Sequence, residues 1–288
     1  MAAAVTTTTG ARPARAGRRP PVAWVGTVPF LAYTGVFLLL PTGIVIWNAF
    51  KGNTGHWTFA NISGLNTALV RSAFTGSLEL CVISSVIGAV FGALLAYAVA
   101  SGNPDGMVRR LYLAGSGVLA QFGGVTLAFA FLAAIGPSSG FLFHAPWFYD
   151  FPWGIAVIYC YFQIPLMTLV FLPAIDGLRA QWREAAESLG GSTWQYWRHV
   201  GAPLLAPAFL GAALLLFANA LSAFATIEAW EDQISYVVPQ SISTSLISEV
   251  GLANVHEGDA LAFGMIVLVV IVMSGYFLLQ RRAARWQR

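Results

Sequence analysis

A chain of 288 residues that is 57% apolar and only 9% charged, with a mean hydropathy of +0.70, has too little polar material to coat a water-facing surface; soluble domains carry about 25% charged residues. The near balance of 15 basic and 12 acidic side chains excludes a nucleic-acid binder built on basic patches, and two cysteines exclude a disulfide-stapled secreted domain. The composition is that of an integral membrane protein, in which Cys81 and Cys160, both inside apolar runs, read as small buried hydrophobes.

Residues 1–21 form a Thr- and Ala-rich tail carrying Arg12, Arg15, Arg18 and Arg19. A helix crossing a hydrocarbon core about 30 Å thick needs roughly 20 apolar residues, because each backbone amide must find its partner within the segment. Six stretches meet that requirement, near 22–48, 69–100, 111–135, 151–174, 204–229 and 259–280. The first reaches Trp47 without a small-residue cleavage site and is too long for a signal-peptide core, so it reads as a retained span. A natural division is a basic tail (1–21), a first span with its outside loop (22–68) and a core of five spans (69–288). Trp24, Trp47, Trp147, Trp153, Trp230 and Trp286 fall near span ends, as interfacial anchors do.

Orientation follows from Lys and Arg, which are retained on the cytoplasmic side. The tail, the 101–110 loop with Arg109 and Arg110, the 175–203 loop with Arg179, Arg183 and Arg198, and the C-terminus with Arg281, Arg282, Arg285 and Arg288 all fall on one side. Only Lys51 and Arg71 fall opposite. The expected protein is therefore a multi-pass plasma-membrane protein with both termini in the cytoplasm.

Ionisable and polar groups at membrane depth are costly and mark candidate pathway positions. In chain order these are Glu79, Gln121 with Thr126, Tyr159 with Tyr161 and Gln163, then Asn219, Ser222 and Thr226, which share a helical face that Glu228 leaves. Helix-to-helix hydrogen bonding is the competing reading for each. Gly88 and Gly92 form a G-x-x-x-G pair, and Gly123 with Gly124 read as further sites of close helix packing.

The 175–203 loop has structure of its own. Leu178, Trp182, Ala185, Ala186 and Leu189 recur at helical spacing, with Arg179, Arg183, Glu184 and Glu187 off that face. Gly190 and Gly191 stop the helix, Ser192 and Gln195 have the spacing of a capping box that starts a second one, and Pro203 and Pro207 are expected to break it and open the fifth span.

Within that loop the run Glu184-Ala185-Ala186, then Gly190, Val200 and Pro203, resembles the E-A-A loop of binding-protein-dependent ABC importer permeases, with Val200 where isoleucine is usual and Ala202 where leucine is usual. The similarity extends over roughly 70–285. Trp194-Gln195-Tyr196-Trp197-Arg198, Ala206-Pro207 and Phe217-Ala218-Asn219-Ala220 look most like the spermidine/putrescine and related sulfate, iron and phosphonate branch, and the sugar branch fits less well. The resemblance implies an all-α protein with six transmembrane helices, a type I ABC importer (methionine-importer-permease-like) fold and a cytoplasmic coupling helix. It implies that Arg183, Glu184, Ala185, Ala186, Glu187 and Gly190 meet an ATP-binding subunit, present in two copies. It further implies a second, related permease subunit and an extracytoplasmic substrate-binding protein. ATP and Mg are then bound by the partner ATPase, and this chain needs no cofactor.

The residues agree that the engine lies elsewhere: a P-loop requires G-K-[ST], and the only lysine, Lys51, follows Phe50. His256-Glu257 lacks the second histidine of H-E-x-x-H, so no metal site is expected, and His199 reads as interfacial. Two other classes stand against a permease. An ion-gradient-driven secondary transporter would show an internal repeat, and none is evident. An intramembrane hydrolase would use Ser138 or Ser139 with His144, but these lie in a Pro/Gly turn without an acid.

Overall fold

The computed structural model describes residues 22–51, 56–136, 142, 146–230, 237–247 and 255–285. The basic tail, Ser138, Ser139, His144, Glu231, Asp232, Glu249, Trp286 and Arg288 lie outside the described residues. The chain divides into two units, Met1–Ile44 and Val45–Arg288.

The described part of the first unit holds α1 (Val22–Thr34), a π-helical turn (Gly35–Leu39) and the start of α2 (Leu40–Ala49). The second unit continues with α3 (Ala60–Gly64), α4 (Ala68–Ala100), α5 (Met107–Gln121), α6 (Val125–Ile135) and α7 (Trp153–Asp176). After these come α8 (Ala180–Ser188), α9 (Thr193–Tyr196), a second π turn (Trp197–Gly201), α10 (Ala202–Ser222), α11 (Phe224–Trp230), α12 (Val238–Ile247) and α13 (Val255–Arg285). Among the described residues five helices are long and apolar enough to cross a membrane: Thr27–Ala49, Ala68–Ala100, Trp153–Asp176, Thr193–Ser222 and Gly258–Gly275. The pair α5 and α6 makes up to six if counted as one bent span.

The structure corrects several expectations. The stretch 111–135 is not one straight span: α5 and α6 meet at 101° across Phe122–Gly124. Gly124 has φ +74 and ψ −151, a conformation open essentially to glycine alone, so Gly124 makes the bend where the sequence suggested close packing. Nor do Pro203 and Pro207 break the helix leaving the loop, since it runs continuously from Thr193 to Ser222. A proline removes an N–H and its ring strikes the carbonyl four residues back. The π turn ending at Gly201 moves the bonding to the fifth residue, with the Ala202 amide donating to Trp197 O just ahead of Pro203. The same device precedes Pro41, where the Leu40 amide donates to Gly35 O.

The third correction concerns the fifth span, which breaks at Ala223 into α10 and α11. After it comes α12, ten residues that carry Gln240, Ser241, Ser243 and Thr244 and are too short to cross a hydrocarbon core about 30 Å thick. Trp230, expected as an interfacial anchor, is 3% exposed within the core.

The core forms around α4 and α7. Ala73, Ser77, Leu80, Ser84, Gly88, Ala89, Gly92 and Ala96 make a buried stripe of mostly small side chains on α4, which lets α7 approach closely. A Cβ at Gly92 would fall 2.4 Å from Met167 Cβ and 2.8 Å from Ile164 O; at Gly88 it would fall 2.7 Å from Gln163 Oε1. The break in each helix is satisfied by a side chain from another. Tyr159 Oη donates to Ala223 O at 2.8 Å, the Gly124 amide donates to Thr226 Oγ1 at 3.1 Å, and the Val238 amide opening α12 donates to Ser77 Oγ at 2.9 Å. Water cannot supply these partners in a bilayer, so the irregular backbone is tolerated only because protein does.

Candidate functional site

The loop after α7 is assembled from local chemistry. Gly177 caps α7, Leu178 and Arg179 extend the chain, and α8 begins at Ala180. At its other end the Gly191 amide donates to Ala186 O at 2.9 Å and the Gly190 amide to Glu187 O at 2.9 Å, with Gly190 at φ +77. These are the two bonds of a Schellman stop, which demands a left-handed residue where Gly190 stands. The capping box that opens α9 is also present: Gln195 N donates to Ser192 Oγ at 3.3 Å, and Ser192 N to Gln195 Oε1 at 2.8 Å. The α8–α9 corner is thus fixed by backbone bonds on both sides of two glycines.

What this rigid corner presents is unburied. No residue of α8 is buried, Trp182 is 37% exposed, and Leu189 reaches 89% and Trp194 72%. Ala185 is exposed and Ala186 half-buried. Arg183 Nε donates to Glu187 Oε1 at 3.0 Å, a solvated pair that holds the guanidinium charged, its pKa raised chiefly by that hydrogen bond. The Glu184 carboxylate is exposed and makes no hydrogen bond or ion pair among the described residues. The Arg179 guanidinium lies 5.9 Å over the Trp182 ring, and the helix otherwise carries an exposed apolar stripe beside an unpaired acid.

Behind the corner the loop is tied to the spans. Tyr196 is buried, His199 Nδ1 lies 3.0 Å from Gln195 O, and Trp197 stands edge-on to Tyr97 with centroids 5.4 Å apart. Arg109 on α5 forms an ion pair with Asp176, the last residue of α7.

The polar residues of the spans separate into two groups. Tyr159, Gln163 and Thr226 are buried within the subunit; Tyr159 and Thr226 hold the helix breaks, and Gln163 Nε2 donates to Ser84 Oγ at 3.2 Å. Glu79, Gln121 and Ser222 are exposed and Asn219 is half-buried. Ser222 Oγ donates to Asn219 O at 3.0 Å. The break at Ala223 removes Thr226 from the face that the sequence gives it with Asn219 and Ser222. Sequence reasoning missed Thr168, whose hydroxyl donates within reach of Gly92 O at 3.1 Å and Ile164 O at 3.0 Å and lies 3.3 Å from Tyr112 Oη. Its signal was faint: a hydroxyl inside an otherwise apolar run. Among the described residues no three His, Cys, Asp or Glu side chains converge on a metal position.

Comparison with known proteins places this architecture. The chain is similar to a bacterial ABC transporter involved in the import of the acidic polysaccharide alginate, with TM-score 0.73 and 18% identity over 91% of this chain and 95% of that one. It also resembles the MetNI methionine ABC transporter in an inward-facing conformation, with TM-score 0.56 and 16% identity over 75% and 95%. In sequence it is 26% identical over 236 residues to the trehalose transport system permease protein SugB of Mycobacterium tuberculosis, covering 78% of each chain. It is 25% identical over 258 residues to the sulfate transport system permease protein CysT of Escherichia coli K12, covering 85% of each. The fold is that of a type I ABC importer permease, a multi-pass inner-membrane transport component and not an enzyme. Residues 88–288 match the binding-protein-dependent transport system inner membrane component family, and the chain belongs to it.

Proposed function

We propose that this permease subunit forms half of the translocation pathway of an ATP-driven importer and receives its drive through α8. The observation that carries the reading is the α8–α9 corner: an amphipathic helix of nine residues, none buried, locked at Gly190 and Ser192. A flexible segment would dissipate an applied displacement, whereas a helix capped by backbone bonds passes it on to α7 and α10.

In this reading the 175–203 loop is cytoplasmic, as are both termini. Two copies of an ATP-binding subunit hold ATP and Mg, and the loop lies in a groove of one copy. Glu184 supplies a charged contact, Ala185 and Ala186 permit close approach, Leu189 and Trp194 fill apolar hollows, and Arg183 with Glu187 border the contact. A second, related permease chain completes the path, because one subunit cannot enclose a pore, and an extracytoplasmic binding protein delivers the solute. Closure of the ATPase dimer draws the two handles together and turns the pathway from inward-open to outward-open. The chain divides functionally into the tail 1–21, the first span and outside loop 22–68, and the core 69–288.

Glu79, Gln121, Asn219 and Ser222, unburied in the isolated subunit, are the side chains proposed to meet solute. The cargo is a small charged solute; the residues around Trp194–Arg198 resemble the polyamine branch, and Glu79 suits a cation. A sugar or sulfate cargo is the second reading, favoured by the relatives SugB and CysT.

The test is purification from a native membrane followed by vesicle transport. Copurification of an ATP-binding subunit with ATP-dependent uptake is expected, and Glu184→Ala should insert normally while uncoupling hydrolysis from uptake. A chain isolated alone that transports without ATP would instead be a gradient-driven carrier. The ligand released from the copurifying binding protein names the cargo.

A further inference from the structure

We propose that the ion pair between Arg109 and Asp176 is a positioning latch that makes α5, and through it the bend at Phe122–Gly124, follow the motion of α8. The proposal rests on the reading of α8 as the point where force enters.

Both charges stand at the wrong end of their own helices. Asp176 is the last residue of α7, where the helix terminus carries a partial negative charge, and Arg109 is the third residue of α5, where it is partially positive. Neither is favoured by its local backbone, and each is compensated by the other across 67 residues of chain. The Arg109 side chain is 16% exposed and that of Asp176 39%, so the pair is shielded on the arginine side and open to solvent on the aspartate side.

The pair sits where the loop departs. Only Gly177, Leu178 and Arg179 separate Asp176 from α8, leaving little slack to absorb a displacement. A second rung lies one turn further along α5, where Tyr112 Oη is 3.3 Å from Thr168 Oγ1, itself bonded to Gly92 O on α4. From Arg109 the helix runs on about 18 Å, at 1.5 Å per residue, to Gln121. There the chain turns by 101°, and the Gly124 amide bonds Thr226 on α11. Thus α5 is fastened to the root of α8 at one end and ends, at the other, on the glycine bend beside Gln121.

The experiment uses the full complex of this chain with its copurified ATP-binding subunit and binding protein, reconstituted in vesicles. Arg109→Gln and Asp176→Asn should each keep the ATP-binding subunit bound and leave basal ATP hydrolysis unchanged. Hydrolysis stimulated by the binding protein should fall about fivefold or more, the size of a lost coupling contact. The exchange Arg109→Asp with Asp176→Arg should recover most of the stimulation, because it restores the pair and places each charge at a favourable helix end. Should a neutral variant fail to insert, Arg109→Lys and the exchange carry the test. Wild-type stimulation in both neutral variants, or an exchange variant as impaired as they are, overturns the latch. A wild-type chain that retains no ATP-binding subunit would instead overturn the reading beneath it.

Discussion

The Gly191 amide reaches back 2.9 Å to the carbonyl of Ala186, and this bond, with the left-handed Gly190 between them, sets the direction in which α8 leaves the corner. A Cβ at Gly190 would meet nothing within 4 Å, so its replacement tests backbone strain alone. A left-handed conformation costs most residues about 1–2 kcal/mol and asparagine less. Gly190→Ala should therefore weaken binding-protein-stimulated ATP hydrolysis more than Gly190→Asn. Thermal stability should be unchanged in both, because α8 buries no residue. Hydrolysis assays and melting curves on the three proteins check the order; a fall in melting temperature matching the loss of activity would place the effect in folding.

At Gly92 the constraint is steric. The space for a Cβ is already held by Met167 Cβ at 2.4 Å and Ile164 O at 2.8 Å, and one of these belongs to rigid backbone. Overpacking of this kind costs about 1–3 kcal/mol. Gly92→Ala should lower the melting temperature in detergent. Gly115→Ala, in α5 with nothing within 4 Å, should leave it level or raise it, since alanine favours a helix interior by about 0.5–1 kcal/mol.

The contrast between those glycines also shows what the sequence can reveal. Gly88 and Gly92, spaced four apart in one helix, are legible as a packing face because period and residue type together specify it. Gly123 and Gly124 look the same in a linear pattern, but their role depends on φ at Gly124 and on the Thr226 hydroxyl, which lies 102 residues away. The α8–α9 corner was readable down to its capping box, since Schellman stops and capping boxes are built from neighbours in sequence. Proline was misleading for a related reason: the π turn that admits Pro203 is a backbone adjustment with no residue signature. The buried members of the polar set, Tyr159, Gln163 and Thr226, could not be separated from Glu79, Gln121, Asn219 and Ser222 by periodicity, because helix breaks and crossings decide which polar face turns inward.

The bond between the Gly124 amide and Thr226 Oγ1 gives a test of how the bend is held. Thr226→Val keeps the shape and removes the acceptor, leaving a backbone donor unsatisfied at a cost of about 1–3 kcal/mol, or nearer 0.6 kcal/mol where the membrane softens the penalty. Amide exchange at Gly124 should quicken in this variant and return to the wild-type rate in Thr226→Ser. Unchanged exchange in Thr226→Val would mean the bend is held by glycine geometry and packing without this bond.

Glu79 lies on α4 between buried Ser77 and Leu80, yet its own side chain is turned to the outside of the subunit. A carboxylate facing acyl chains is costly, so this position requires water, a partner chain or solute against it. If it meets a cationic solute, Glu79→Gln should lower uptake while stimulated ATP hydrolysis stays near wild type, because the energy-receiving corner on α8 is untouched. If it faces the second permease chain, the same substitution should weaken recovery of the paired subunit in detergent and reduce uptake and hydrolysis together. Measuring the ratio of solute moved to ATP consumed separates the two: a fall in that ratio with an intact assembly places Glu79 on the pathway, and an unchanged ratio removes it.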